Sequence, residues 1–336
     1  MLSPPPRSLA NLRVGLVGSE ELADGLGSTC SVQSLSPGGP LGAVHLVLVE
    51  GGERIDPRWE RELPPMLEAC EAAGIASVLW IATSPFDPAY LRCCSAFTRV
   101  FSADPGHLPA LAAAGANLPA PLLAATALPV EDSPPGDTVR RSDPVVWLGG
   151  WREEWPEAWR ARLSAVLTAA VPFGLRIAGP VDPQALPPNL RAHAKGGGNT
   201  GPDALRRARV AIGADATSDS PGLVPGVVFD AIACGAAVVC PHDANLPASY
   251  LALAPPGTPG TASGGGKLVR PVHDGASARE AIGELLGDDR RRETIVRDCR
   301  RIVALNHTLA HRIATIASVA GYRLIPRSKT PDPGRS

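Results

Sequence analysis

The groups best suited to chemistry in this sequence are two carboxylates and two glycine-containing turns. Glu20 follows the apolar run Arg13–Gly18, and Glu50 closes the run Val44–Glu50. If both runs are parallel strands, both acids sit at the carboxyl edge of a sheet, where α/β proteins hold ligands. Each is then a candidate general base for activating a hydroxyl, or equally a surface acid. Gly149-Gly150-Trp151-Arg152 lies between a strand-like run and a helical one. Its backbone N–H groups could meet a diphosphate, with Arg152 adding charge; otherwise the glycines only make a tight turn. The segment 218–226 leads into the apolar helical stretch Val227–Cys234, with Pro225 at the first turn. A helix start beside a Gly-containing loop favours an anion, so Ser220, Val224, Pro225, Phe229 and Asp230 are candidate binding residues. Asp230, about one turn in, could also be an ordinary first-turn acid.

Weaker candidates surround these. Thr83 and Ser84 could supply hydroxyl contacts. Arg206, Arg207 and Arg209 form a dense basic cluster before the run Val210–Ala214, a secondary phosphate candidate or a solvated face. His307 and His311 are spaced i, i+4 without the Glu of an H-E-x-x-H motif, so no metal site is expected. Packing across a hinge suits this pair better, with Asn306 as a helix N-cap. Gly18-Ser19-Glu20-Glu21 lacks the full G-x-G-x-x-G, which disfavours a dinucleotide site, and no Ser-His-Asp or Cys-His arrangement can be assembled from spacing. Cys234-Gly235-Ala236 reads as close helix-to-strand packing.

The elements that must position these residues alternate between strand-like and helical patterns, the signature of parallel sheets with crossover helices. Strands are expected at Arg13–Gly18, Val44–Glu50, Ile75–Ala82 and Thr98–Phe101, with helices at Arg58–Ala73 and His107–Ala114. After the linker-like segment Pro129–Asp143 the rhythm restarts, with strands at Val145–Gly149, Leu175–Ala178, Val210–Ala214, Ala236–Cys240 and Lys267–Arg270. Helices follow at Pro156–Ala170, Asp203–Ala208, Pro225–Cys234, Ala276–Leu286, Asp289–Leu305 and His307–Ala320. The expected fold is α/β: two Rossmann-like, doubly wound domains, 1–138 and 139–325, facing each other across a cleft. The Gly-rich segments 195–202 and 255–266 read as loops, and 326–336 as a disordered tail.

Composition narrows the function classes. With 336 residues the chain can hold two cores. The 32 basic and 33 acidic side chains give a net charge of −1, so no field of one sign exists to hold nucleic acid or an anionic membrane. No lysine occurs in the first 194 residues, which removes a Walker-type or Schiff-base lysine there. Seven cysteines without a C-x-x-C pair indicate neither a disulfide framework nor a zinc knuckle. With no apolar run of membrane-spanning length and no signal-like start, a cytoplasmic protein is expected.

Six segments in order resemble the CgeB-like (spore maturation type) glycosyltransferases, a branch of the two-domain GT-B enzymes. They are Leu48-Val-Glu50 with Trp59, Gly74-Ile-Ala-Ser-Val-Leu-Trp80, Phe97-Thr-Arg-Val-Phe-Ser-Ala-Asp104, Val145-Val-Trp-Leu-Gly-Gly-Trp151, Val228-Phe-Asp-Ala-Ile-Ala-Cys-Gly-Ala236 and His307-Thr-Leu-Ala-His-Arg312. The resemblance implies a GT-B fold and transfer of a sugar from a nucleotide-diphosphate sugar, bound by the second domain, to an unknown acceptor bound by the first. No cofactor or divalent metal is implied. Asp230 would accept hydrogen bonds from ribose hydroxyls, as the family's Glu does, and the last helix would return to the first domain. Departures are plain: Ile81-Ala82-Thr83 follows Trp80 where relatives carry Asn, Lys and Glu. Val227 replaces a common Arg, and Gly222 stands where some relatives have a glutamate. Two alternatives follow, a nucleotide-sugar epimerase on the same scaffold or a non-catalytic partner of an active transferase.

Overall fold

The computed structural model describes residues 8–52, 55–84, 86–128, 130, 141–153, 155–179, 181–194, 201–214, 223–241 and 269–322. The boundary at 138, most of the linker, both Gly-rich segments except 201–202, Ser220 and the tail 326–336 lie outside the described residues. The first sheet contains β1 (Arg13–Val17), β2 (Ser31–Ser34), β3 (Leu46–Gly51), β4 (Ala76–Ile81), β5 (Arg99–Ser102) and β6 (Ala120–Pro121). Its helices are α1 (Glu20–Gly27), α2 (Pro57–Ala72), α3 (Ala89–Cys93) and α4 (Leu108–Ala113). The second sheet contains β7 (Asp143–Leu148), β8 (Leu175–Ala178), β9 (Ala208–Ile212), β10 (Ala237–Pro241) and β11 (Arg270–Val272). Around it lie α5 (Glu157–Ala170), α6 (Pro202–Arg207), α7 (Gly226–Ala233), α8 (Gly275–Gly287) and α9 (Asp289–Asn306). The helix α10 (Leu309–Val319) follows.

Every strand pair is parallel, in the orders β2-β1-β3-β4-β5-β6 and β11-β10-β9-β7-β8. Both orders reverse once, between β1 and β3 in the first sheet and between β7 and β9 in the second. Reversal points open a crevice at the carboxyl edge, because the flanking crossovers leave to opposite faces.

Alternation along each strand buries both faces. Leu46 and Leu48 of β3 face one core with α1 and α10, whereas Val47 and Val49 face another with α2 and α4. In the second sheet Val145 and Trp147 pack under α5 and α8, and Val146 packs under α6, α7 and α9. Leu309, Ile313 and Ile316 of α10 pack in the first sheet's core, against Leu16, Trp80 and Leu122. The chain therefore crosses between the sheets twice, through 122–128 and through 307–309.

Several boundaries differ from expectation. The polar, mostly exposed β2 and the two-residue β6 escaped notice, because edge strands need little apolar surface. The helix α1 lies where the sequence pattern predicts no element, capped by Ser19 Oγ accepting from the Leu22 N–H at 3.2 Å. The strand expected at Lys267–Arg270 begins at Arg270, with 267 and 268 outside the described residues. Asn306 is not an N-cap: it ends α9, and Thr308 stands before α10. Among the described residues no helix is long and apolar enough to cross a membrane.

The two crossings leave little room beside α1. A Cβ at Gly25 would lie 2.6 Å from Leu309 Cδ1 and 2.7 Å from Ala127 Cβ. Gly25→Val should push α1 off α10 and the crossing segment, lowering unfolding free energy by about 1–3 kcal/mol in a denaturant titration. Gly27→Val, whose position has nothing within 4 Å, is the control for the loss of glycine alone.

Candidate functional site

The candidates gather at the two reversal points. In the first sheet the loop after β1 and the end of β3 are locked together: the Glu50 carboxylate accepts the Ser19 N–H at 2.7 Å. Gly18 is required beside it, since a Cβ there would lie 2.9 Å from both Glu50 Cβ and Oε2. Glu50 is thus a strut for the β1–α1 turn through one oxygen. Glu20 is exposed in the first turn of α1, where a negative charge suits the helix dipole.

In the second sheet the corresponding edge is shaped by Trp147. Its buried indole donates Nε1–H to the Ala214 carbonyl at 3.1 Å, tying the exits of β7 and β9. A Cβ at Gly149 would come within 2.9 Å of that ring, so the turn needs glycine for close approach. The expectation that both glycine N–H groups are open is corrected in one respect: the Gly149 N–H is spent on the Ala178 carbonyl at 3.3 Å, extending the β7–β8 pairing. Among the described residues the N–H groups of Gly150 and Trp151 have no backbone acceptor. Arg152 is exposed, and Trp151 rests against Trp155 with ring centroids 6.3 Å apart.

The apolar helix α7 enters beside this edge from Pro225, its N-cap, behind the buried Leu223 and Val224. The N–H of Val228 bonds the Pro225 carbonyl at 3.0 Å, and those of Gly226 and Val227, at the start of the helix, have no acceptor among the described residues. Phe229 is fully buried and stacks on His307 at 5.0 Å. Asp230 is not an ordinary exposed first-turn acid but half-buried. Its Oδ1 accepts from Thr126 Oγ1 at 2.7 Å across the two units. Burial pushes its carboxyl up to about 6, against the Thr126 hydrogen bond, which pulls down, and with Glu21 adding a little upward. Thr126 is a residue that sequence reasoning missed, because a lone Thr in an Ala-rich stretch carries no pattern.

The basic cluster is corrected. Arg206 pairs with Asp203 at 2.7 Å, Arg207 with Asp143 at 3.4 Å, and Arg209 donates to the Arg141 carbonyl at 3.4 Å. All three sit where β9 begins, and in a parallel sheet that edge is opposite the one with the glycine turn. The histidines are also accounted for. His311 Nδ1 lies 2.7 Å from Thr308 Oγ1, and His307 Nδ1 lies 2.9 Å from Arg312. Among the described residues no group of three His, Cys, Asp or Glu could hold a metal ion.

Arg312, named only as the last letter of a motif, clasps the crossings. Its guanidinium donates to the carbonyls of Leu123 (2.7 Å), Ala124 (2.9 Å) and Asn306 (2.8 Å), and burial pulls its pKa down to about 10. Burial, with Arg312 and His311 adding to it, pulls His307 down to about 4.

A second missed cluster marks the exits of β4 and β5. His107 Nδ1 lies 3.0 Å from Ser102 Oγ, and its Nε2 lies 3.0 Å from Ser84 Oγ and 3.1 Å from Asp104 Oδ2. Asp104 Oδ2 is off the N–H axis and carries no hydrogen bond, so the contact is electrostatic. Ser102 Oγ already accepts the Asp104 N–H at 3.1 Å, and its buried proton has Nδ1 as the available acceptor. Neutral His107 is therefore protonated at Nε2, and its pKa is lowered by burial against the pull of Asp104. The spacing Ser102-x-Asp104-x-x-His107 was the legible signal.

Residues 152–318 match a family model described as "Glycosyl transferase-like". Comparison with curated proteins finds no match. Among solved structures, TarM is similar at 10% identity with a TM-score of 0.53, over 82% of this chain and 54% of that one. The chain thus spans about half the length of TarM. An α-glucosyltransferase (AGT) in complex with UDP is similar at 8% identity with a TM-score of 0.52, over 93% of this chain and all of that one.

Two predictions follow from the clasp. Arg312→Met leaves three carbonyls without their donor and should cost about 3–5 kcal/mol of stability in denaturant titration, with Arg312→Lys recovering little of it. His307, held neutral, favours unfolding as pH falls from its unfolded value of 6.5 through about 4. His307→Gln should therefore be relatively more stable at pH 4 than at pH 7 by up to about 3 kcal/mol against wild type, read from paired denaturation curves. The observed architecture is α/β with two Rossmann-type parallel sheets, the GT-B fold of glycosyltransferases, and its second unit is similar to the glycosyl transferase-like family.

Proposed function

We propose that this chain is a glycosyltransferase that moves a sugar from a nucleoside-diphosphate sugar to an acceptor. The observation that carries the reading is the carboxyl edge of the second sheet, where the Gly149-Gly150 turn, the open start of α7 and the Asp230 carboxylate lie together beside one reversal point. The family match over 152–318 begins just after the glycine turn and takes in α7 with Asp230, and one solved structure of similar fold is a UDP complex.

In this reading the N–H groups of Gly150, Trp151, Gly226 and Val227, which have no acceptor among the described residues, receive the diphosphate, with Arg152 adding positive charge. Asp230 accepts from ribose hydroxyls through Oδ2, which has no protein partner among the described residues; Val224, Pro225 and Phe229 shape the floor. Ser220 belongs to the same proposal. The acceptor's oxygen or nitrogen attacks the anomeric carbon, a proton leaves it, and the C–O bond to the diphosphate breaks with its electron pair on the phosphate. Backbone dipoles and Arg152 stabilise that charge as it develops, so the reading calls for no divalent ion.

On the acceptor side, Glu50 keeps one oxygen for chemistry while the other holds the β1–α1 turn, and Glu20 stands beside it on α1. Glu50 is the better placed general base, since its carboxylate is fixed and half-buried at the first reversal point. Closure of the units would bring the two edges together and exclude water. The chain is read as cytoplasmic, of CgeB-like type and of bacterial origin.

A non-catalytic partner role is the second reading, favoured by Val227 and by Thr83 in place of charged groups. Calorimetry with UDP, GDP, dTDP, CDP and ADP and their sugar conjugates separates the two. The transferase reading predicts that one nucleotide binds wild type, stabilising it by about 2.7 kcal/mol at a hundredfold excess over Kd. Asp230→Ala should weaken that binding roughly tenfold or more, equivalent to ~1.4 kcal/mol. Binding of none to wild type supports the partner role, and undiminished binding by the variant removes Asp230 from the donor site.

A further inference from the structure

We propose that Thr126 is a positioning residue for the donor site: its hydroxyl orients the Asp230 carboxylate and ties that orientation to the joint between the two units. The inference rests on the reading of Asp230 as a donor contact and adds what sets its geometry.

Thr126 is 1% exposed, and every polar atom it has is committed. Its N–H donates to the His307 carbonyl at 3.0 Å, and its carbonyl accepts the Leu309 N–H at 3.1 Å, so its backbone stitches the first crossing to the second. Its Oγ1 accepts the Leu128 N–H at 3.0 Å and lies 2.7 Å from Asp230 Oδ1. With a lone pair of Oγ1 used by Leu128, the hydroxyl proton is directed to Asp230. The carboxylate is then the acceptor, and Oδ2 is the oxygen left for a ligand.

The helix carrying Asp230 leans on the same joint. Phe229 stacks on His307, and the Cα of Gly226 faces Ala124, where a Cβ would meet that alanine's Cβ at 4.0 Å. The start of α7 and the Asp230 carboxylate therefore move with Thr126 or break from it when the units change angle. A ribose bound through Oδ2 would be held in register with the crossing segment, which makes the joint part of the donor site rather than a passive connection.

The charges around Asp230 fix the sign of the test. Glu21 of α1 raises its pKa slightly; His307 is neutral near pH 7, as is the Cys234 thiol on α7, which burial pushes up to about 11. Burial lifts Asp230 to about 6 and the Thr126 hydrogen bond opposes that lift. Ribose hydroxyls donate best to the ionised carboxylate, so donor affinity should be full well above pH 6 and fall through a midpoint near it. Removing the Thr126 hydroxyl should move that limb to higher pH by roughly one unit, the size expected of a charge-assisted hydrogen bond.

The experiment is calorimetric titration of UDP and dTDP from pH 5 to 8.5 on wild type, Thr126→Val and Thr126→Ser. The phosphate's own titration is common to all three proteins and cancels in the comparison. The proposal predicts affinity for Thr126→Val reduced roughly threefold at pH 6.5 and by more toward pH 5, recovery toward wild type at pH 8.5, and restoration by Thr126→Ser throughout. A uniform loss with the limb unmoved, as a purely structural threonine would give, overturns it. Carboxyl 13C NMR of Asp230 in the three proteins without nucleotide decides the point separately. The Thr126→Val midpoint must rise and the Thr126→Ser midpoint must not; an unmoved Thr126→Val midpoint overturns the proposal. Failure of any nucleotide to bind wild type would instead count against the donor reading, with the carboxyl titration still deciding what Thr126 does.

Discussion

The structure depends on one buried cation. Two parallel sheets share no strand, so their relation is set where the chain crosses at 122–128 and returns at 307–309. Five hydrogen bonds to backbone groups meet there: those from Arg312 to the carbonyls of Leu123, Ala124 and Asn306, and the two Thr126 bonds to 307 and 309. A guanidinium suits this because its donors fan out in one plane and its charge survives burial, whereas an ammonium could not reach three separated carbonyls. Neutral His307 beside it completes the clasp without adding a second charge to the same buried volume.

Around that joint, the same design is used twice. Each sheet places an indole at the carboxyl end of a central strand, Trp80 donating to the Leu122 carbonyl at 3.0 Å and Trp147 to the Ala214 carbonyl at 3.1 Å. In the first sheet the bond reaches into the crossing segment; in the second it shapes the glycine turn. The cysteines take no part: Cys30, Cys70, Cys234, Cys240 and Cys299 are buried, and burial raises each thiol to about 11 or 12, which suits core filling and not nucleophilic chemistry.

Periodicity revealed the central strands well, because strands buried on both faces read as continuous apolar runs, and Leu175–Ala178 is met to the residue. It failed at β2 and β6, whose pairing at sheet edges is decided by neighbours and not by their own side chains. The glycine turn and α7 were legible as a strand-turn-helix pattern. The meaning of their atoms was not: spending the Gly149 N–H on Ala178 and the Asp230 oxygen on Thr126 depends on residues 29 and 104 positions away. Sequence spacing likewise left Arg206, Arg207 and Arg209 open between a secondary phosphate candidate and a solvated face, since it cannot say which edge of a sheet a charge occupies. Arg312 was visible only as the end of a motif and Thr126 not at all, because a clasp is a property of two crossings brought together.

The central claim is that the carboxyl edge of the second sheet is a nucleotide-diphosphate site. The most direct measurement is a crystal structure of the chain soaked or grown with the nucleoside diphosphate that binds best. The account predicts the diphosphate against the N–H groups of Gly150, Trp151, Gly226 and Val227, with ribose hydroxyls on Asp230 Oδ2. A nucleotide bound at the first sheet's edge, or a second-sheet edge left empty at saturating nucleotide, would contradict it.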